Sequence, residues 1–480
     1  MNIHPRPALV VLLLGMALML PFLAPIGMFL DGIVYAALSM NLANGIGDFW
    51  HLRINDSYFG RFVEHPPLGI MIQSLWFLGL GDHYLVEKLY GLVALLIAFV
   101  LIHRLWMTSL GARQTQPDVS AYWWLPIALL LVVPKWSWAY RNNLLEITLI
   151  PFCLITVLLH ASGMQGGGVG RRVLVGVIAA VTTVSAFLVK GPVALFVLTA
   201  PLFVALIRPP PTARALAGYL SVYLVAVALG GAALWLHPPT AEMLDAYFHR
   251  HVYSSVDYSQ GFCSDGKCLY ILGELFTMLS VPLVAGMVLL LFLRCRPSRG
   301  WWRPVLPAAT GHMLIGISAS FPIVLSTKQS SHYLLPSLPF YMLGLGLLLA
   351  AALSASDRVD RVLKRRPSPS FLLGVAILAV AVVVWSWSRV GTVRKSGEHH
   401  HDLDRIAEVT GQGRAIGIHP RLYTDWYLHN IAWRHYRIEL DPEPEGQCWL
   451  LLDPPVDQAI RDDWTRVPLD TRRWQLYRRC

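Results

Sequence analysis

Long apolar runs separated by short polar breaks dominate the first four-fifths of the chain. They lie near 9–30, 86–106, 121–138, 143–160, 172–189, 192–207, 215–236, 271–293, 304–325, 333–353 and 370–388. A helix of about 20 mostly apolar residues crosses a bilayer, so the pattern predicts roughly eleven transmembrane helices. Leu68–Leu80 is apolar but short, and reads as an interfacial or re-entrant helix. The first run follows Arg6, is too long for a signal-peptide core and shows no small-residue cleavage site before Asp31. It reads as a retained anchor.

Beyond residue 390 the pattern changes. Ala415–Ile418 and Trp449–Leu452 have the character of short buried strands, and 425–435 has helical spacing. The expected organisation is a membrane body over 1–390 and a small soluble α/β domain over 391–480. The junction 391–404, with His399, His400 and His401, reads as an exposed polar linker, because a His run without a scaffold specifies no metal. No internal repeat supports an inverted-repeat transporter.

Composition agrees with a polytopic membrane protein. Of 480 residues, 55% are hydrophobic and 14% charged, well below the roughly one-quarter charged content of soluble domains, and the mean hydropathy is +0.51. The net charge of +10 marks topology rather than a nucleic-acid partner. Arg104/Arg113, Arg171/Arg172, Arg208/Arg214, Arg294/Arg296/Arg299/Arg303 and Arg358/Arg361/Lys364/Arg365/Arg366 fall in loops that share one side. The positive-inside rule makes that side cytoplasmic, with attraction to membrane lipids a secondary effect. Loops 31–67, 134–142, 190–191, 237–270 and 326–332, and everything after 390, then face the other side, the periplasm of a bacterial inner membrane. In that oxidising compartment Cys263 and Cys268, which flank a turn-forming sequence, are expected to pair as a disulfide, with two free thiols the alternative. Cys448 and Cys480 share the tail and are a second candidate pair; Cys153 and Cys295 read as free.

The unusual polar residues gather on this outer side. They are Asp31, His65 in Glu64-His65-Pro66-Pro67, Asn142 and Asn143 with Glu146, Lys190 in Val189-Lys190-Gly191-Pro192, and Lys328 to Tyr333. Each has a structural reading: Lys190 snorkels, His65 orders a proline-stiffened turn, and Asp31 marks a water boundary. Chance would scatter them over both faces. Carboxylates at a polar boundary offer a general base or a hydroxyl acceptor, and lysines with a histidine offer charge for an anionic leaving group. A substrate half lipid and half polar, such as a lipid-linked phosphate ester, fits that position.

In order, Asp31-Gly32 with Tyr35 and Asn41, His65-Pro66-Pro67-Leu68-Gly69, Asn142-Asn143-Leu144-Leu145-Glu146, Lys190-Gly191-Pro192 and His332-Tyr333-Leu334-Leu335-Pro336 resemble the landmarks of GT-C membrane glycosyltransferases. The branch resembled is the bacterial one related to protein O-mannosyltransferases and the lipid A aminoarabinose transferase, over about residues 1–345. The resemblance implies inverting transfer of a hexosyl or pentosyl group from a polyprenyl-phosphate-linked donor to a lipid, glycan or protein acceptor of the envelope. It implies Asp31 and Glu146 as catalytic carboxylates, with Asp31 the base or the group that orients the acceptor. His65, Lys190, Lys328 and Arg250 would bind the donor phosphate, and Tyr35, Asn142, Asn143, His332 and Tyr333 the substrates. His65 stands where the aminoarabinose branch has lysine, and Glu146 where the family usually has aspartate. No metal-ligand spacing is present; a divalent cation shared by Asp31 and Glu146 is the alternative to metal-independent catalysis. A transporter or flippase for a lipid-linked sugar, and a noncatalytic membrane scaffold, are the competing functions.

Overall fold

The structure, a computed structural model, describes residues 5–480 apart from 111–118, 166–167, 256–268, 298, 357–358, 360–361, 364 and 455–462. Cys263 and Cys268 lie outside the described residues. Nine helices are long and apolar enough to cross a membrane among the described residues, or ten with a bent pair counted as one span. The difference from the expected eleven arises in two places. The run at 121–138 is broken by 77° between Val119–Leu131 and Pro134–Arg141, where Pro134 has no N–H to carry the helix on. At 192–207 a 3₁₀ segment Gly191–Leu198 and the short helix Ala200–Ile207 replace one regular helix.

The helices that build the site are α1 (Pro5–Leu23), α2 (Leu30–Ala43), α3 (Leu68–Leu80), α4 (Leu85–Leu110), α5 (Trp124–Leu131), α6 (Pro134–Arg141), α7 (Glu146–Gly163) and α8 (Val169–Lys190). Ser331–Ser354 is the innermost span, with 89% of its apolar window buried. It packs with α4, α5 and α7 into one apolar core that includes Leu130, Leu154, Leu338 and Leu347. Ala213–Leu236, Tyr270–Phe292 and Pro369–Ser388 bury little and turn large apolar side chains outward, among them Leu236, Phe292 and Val384. Such surfaces belong in hydrocarbon, and the chain is a multi-pass membrane protein.

The first span ends earlier than its apolar run. Pro25 and Gly27 (φ 98°) interrupt the chain after Leu23, so Asp31 sits in the first turn of a separate helix, α2. Pattern reading missed this helix. Its sequence is apolar on all faces, which suits an element covered on every side, and Gly32 to Asn41 are buried throughout. One cover comes from the body, through Tyr35, Leu38 and Ile70. The other comes from the tail: Ile33, Ala36 and Met40 share a core with Leu403, Leu428 and Ile431.

The tail contains the expected strands and helix. Strands β1 (Ala415–Ile418), β2 (Glu439–Asp441), β3 (Trp449–Leu452), β4 (Thr465–Arg466) and β5 (Gln475–Arg478) form a sheet in the order β2-β1-β3-β5-β4. β1 runs parallel to β2 and β3, while β5 is antiparallel to β3 and β4. A disulfide joins Cys448 and Cys480 beside β3 and β5, with Cα atoms 5.3 Å apart. The His run departs from expectation, since it is helical within Gly397–Thr410 and not an exposed linker. His399 and His400 are buried, His399 packing edge-on against Trp474 and lying 3.4 Å from Asp425. The sheet supplies an apolar face for this helix that a linker reading leaves out. A buried ion pair, Arg434 to Glu87 at 2.7 Å, fastens the tail to the start of α4.

Candidate active site

The breaks that end the helices also bring the polar residues together. α1 stops short of Asp31, α7 begins at Glu146, α8 ends at Lys190, and Gly191 (φ 68°) reverses the chain. These ends meet at one end of the bundle, where loops 44–67 and 237–255 and the tail join them. Glu146 is fully buried, and its Oε1 accepts from Lys190 Nζ at 2.6 Å. Its Oε2 is also buried and has no hydrogen-bond partner. Lys190, itself 3% exposed, lies 5.2 Å from the Tyr333 ring centre. His332 Nε2 is 3.9 Å from the same Glu146 oxygen, while its Nδ1 bonds Ser330 Oγ at 2.8 Å.

Asp31 is partly buried beside this pair. Burial raises its carboxyl above the ordinary 3.8 and the Glu146 charge adds to the rise, while Lys190 and Lys395 oppose it. His65 packs between Tyr35, 5.8 Å away, and His251, 5.5 Å away, and its Nδ1 is buried without a partner. Burial, then the Lys190 charge, holds His65 well below its ordinary range. His251 falls to about 4 through burial and the Lys328 and Lys190 charges. Both imidazoles are therefore neutral at neutral pH, and His65 offers a hydrogen bond rather than a charge. Lys328 Nζ donates to Ser254 Oγ at 3.2 Å. Glu64 is lifted by its surroundings and by Asp31, with Lys328 opposing.

Three expectations change. Arg250 is exposed on a π-helical turn, Phe248–Val252, and its neighbour His251 is the residue that faces the cluster. Asn142 and Asn143, expected at substrate, are engaged with protein. Asn142 Oδ1 accepts from Phe29 N–H at 2.6 Å, and Asn143, held at φ 54°, donates to the Gly32 carbonyl at 3.1 Å and accepts from Gln73 at 2.9 Å. They fix the first turn of α2 and so act on Asp31 at second hand. Glu146 and Lys190, assigned to separate roles, form one ion pair, so a cation shared by Asp31 and Glu146 would share the Glu146 carboxylate with the Lys190 ammonium. Among the described residues no group of three or more His, Cys, Asp or Glu side chains is gathered to hold a metal ion.

Gly32 explains why the landmark begins Asp-Gly. A Cβ at Gly32 would overlap the Asn142 carbonyl oxygen, and backbone is the least yielding neighbour. Gly32→Ala is expected to cost about 1–3 kcal/mol, the range for overpacking, read as a lower unfolding midpoint in detergent.

No protein-family model and no curated protein sequence matches the chain. Its architecture does have counterparts. The crystal structure of ArnT from Cupriavidus metallidurans bound to undecaprenyl phosphate superposes with a TM-score of 0.63 at 18% identity, covering 98% of this chain and 98% of that one. The apo form of the same protein gives 0.61 at 17% identity over the same shares. The chain therefore shares the fold of ArnT. The likeness covers the short helix that carries Asp31 and the small C-terminal sheet as well as the spans. Sequence reading of the GT-C landmarks missed Glu64, His251 and Lys395. Glu64 and His251 adjoin His65 and Arg250, so the loops were flagged but not the residues. Lys395 carried no signal, because its place beside Asp31 depends on how the tail docks.

Proposed function

We propose that the chain is an inverting glycosyltransferase that moves a sugar from a polyprenyl-phosphate-linked donor to an envelope acceptor, a lipid, glycan or protein, at the periplasmic face of a bacterial inner membrane. The observation that carries this reading is the meeting of Asp31 with Lys190, Glu146, His65 and Lys328 at one end of a GT-C bundle. The related fold holds undecaprenyl phosphate in ArnT, and the proposal extends that lipid class to this chain.

In the proposed step Asp31 takes the proton of the acceptor hydroxyl, or orients it, and the oxygen attacks the anomeric carbon. The bond from that carbon to the phosphate oxygen breaks on the opposite face, so configuration inverts. Polyprenyl phosphate leaves with the bonding electrons. In this reading Lys328 and the Lys190 ammonium meet its charge, and neutral His65 supplies an N–H to a phosphate oxygen. Tyr35 packs beside His65 and Tyr333 beside Lys190. Stabilising charge where it develops is commonly the largest catalytic contribution.

The test uses detergent-purified protein and a panel of polyprenyl-phosphate sugars, with envelope extract as acceptor and mass spectrometry as readout. A new mass equal to acceptor plus sugar, formed without sealed vesicles, is expected. A flippase would instead move the intact lipid across a vesicle membrane and leave every mass unchanged, which would overturn the proposal.

A further inference from the structure

The segment that leaves the last span runs beside the residues that enter α2. Ile26 and Val393 form a parallel bridge, Ile26 N–H donates to the Thr392 carbonyl at 2.8 Å, and Arg394 N–H donates to the Ile26 carbonyl at 3.0 Å. Gly27 presses against this segment: a Cβ there would stand 2.8 Å from the Lys395 carbonyl oxygen. The Lys395 side chain turns towards α2, with Nζ 5.0 Å from the centre of the Phe29 ring and 5.1 Å from that of Tyr427. Two aromatic faces restrain an ammonium that would otherwise wander. Tyr427 also reaches α2 directly, its hydroxyl accepting the Leu30 N–H at 3.2 Å. Asp31 is the next residue.

We propose that Lys395 is a positioning residue for Asp31, the tail clamping the first turn of α2 while the Lys395 ammonium keeps the Asp31 side chain ionised and in place. The charges around Asp31 show why a second cation matters. Lys190 at the end of α8 is engaged with Glu146 at 2.6 Å. Glu146 at the start of α7 and Glu64 in the outer loop are like charges, and the Tyr35 and Tyr333 hydroxyls lie within reach of the Asp31 charge. Among the described residues the Lys395 charge acts on Asp31 alongside that of Lys190, and it comes from the tail. The C-terminal segment is thereby a working part of the site.

The catalytic half of this inference rests on the transferase reading; the ionisation half is measurable without any substrate. An infrared pH titration of the full-length protein in detergent reads the protonated-carboxyl band that Asp31→Asn removes. In Lys395→Met the midpoint of that band is expected to move up by about one pH unit, the lower end of what a nearby opposite charge contributes, and Lys395→Arg is expected to stay at the wild-type midpoint. An unchanged midpoint in Lys395→Met overturns the inference. So does an equal shift in the Met and Arg variants, because charge would then not be the cause. If transfer is never detected but the midpoints move as stated, the positioning role stands and the transferase reading falls.

Discussion

Asp31→Asn is expected to lower sugar transfer by about 10²- to 10⁴-fold, the usual contribution of a positioned general base, while leaving donor binding nearly unchanged and the folded chain more stable. The stability sign follows from the direction of the shift. The Asp31 carboxyl lies above its ordinary 3.8, chiefly through burial, so the native state favours its protonated form. The stability this contributes is present below 3.8 and is lost as pH rises through the folded value. At neutral pH an ionised Asp31 is thus a net cost, and the isosteric amide removes it. Rate has the opposite dependence: transfer needs the ionised form, so activity falls as pH drops through a midpoint above the ordinary aspartate range. Purified protein assayed by product mass and by unfolding midpoint in detergent checks both. A variant that transfers at the wild-type rate would remove Asp31 from the chemistry. One that is less stable at neutral pH would show that its environment favours the charge.

How legible the site was depended on what placed each residue. Asp31, His65, Glu146, Lys190 and His332 sit where apolar runs stop, and the hydropathy pattern exposes such ends directly. Their meeting followed from topology, since alternate ends of antiparallel spans lie on one side. The Glu146–Lys190 pair was not legible, because burial and side-chain direction depend on how α7 and α8 face each other. α2 was hidden for another reason. Leu30–Ala43 is too short to span and too uniformly apolar to show a polar face, and its second cover is a helix almost 400 residues later in the chain. Asn142 and Asn143 were expected at substrate because they stand in a landmark of the resembled family. Their partners, Phe29, Gly32 and Gln73, are backbone and side-chain groups on two other elements. The His run at 399–401 misled for the same reason: polar composition argued for solvent, and tertiary packing overrode it.

Lys190→Met is expected to be the most damaging single change to the fold. It leaves Glu146 fully buried with neither oxygen hydrogen-bonded, since Oε2 already lacks a partner and Oε1 relies on Lys190, with the His332 ring 3.9 Å away. Breaking one side of a buried pair costs about 3–5 kcal/mol, whereas replacing both sides with neutral groups of similar volume is often close to neutral. The double variant Lys190→Met with Glu146→Gln should therefore unfold at a higher temperature than Lys190→Met alone, with a coupling of about 0.5–3 kcal/mol between sites in direct contact. Glu146→Gln alone carries the functional half of the test. It releases the Lys190 ammonium, and a freed cation beside Asp31 should bind a polyprenyl phosphate more tightly than wild type does. If the donor lipid instead binds Glu146→Gln more weakly, Lys190 does not hold the phosphate, and the pair serves only to close the seam between α7 and α8. Additive costs in the double variant would show that the two charges stand independently, contrary to their 2.6 Å contact.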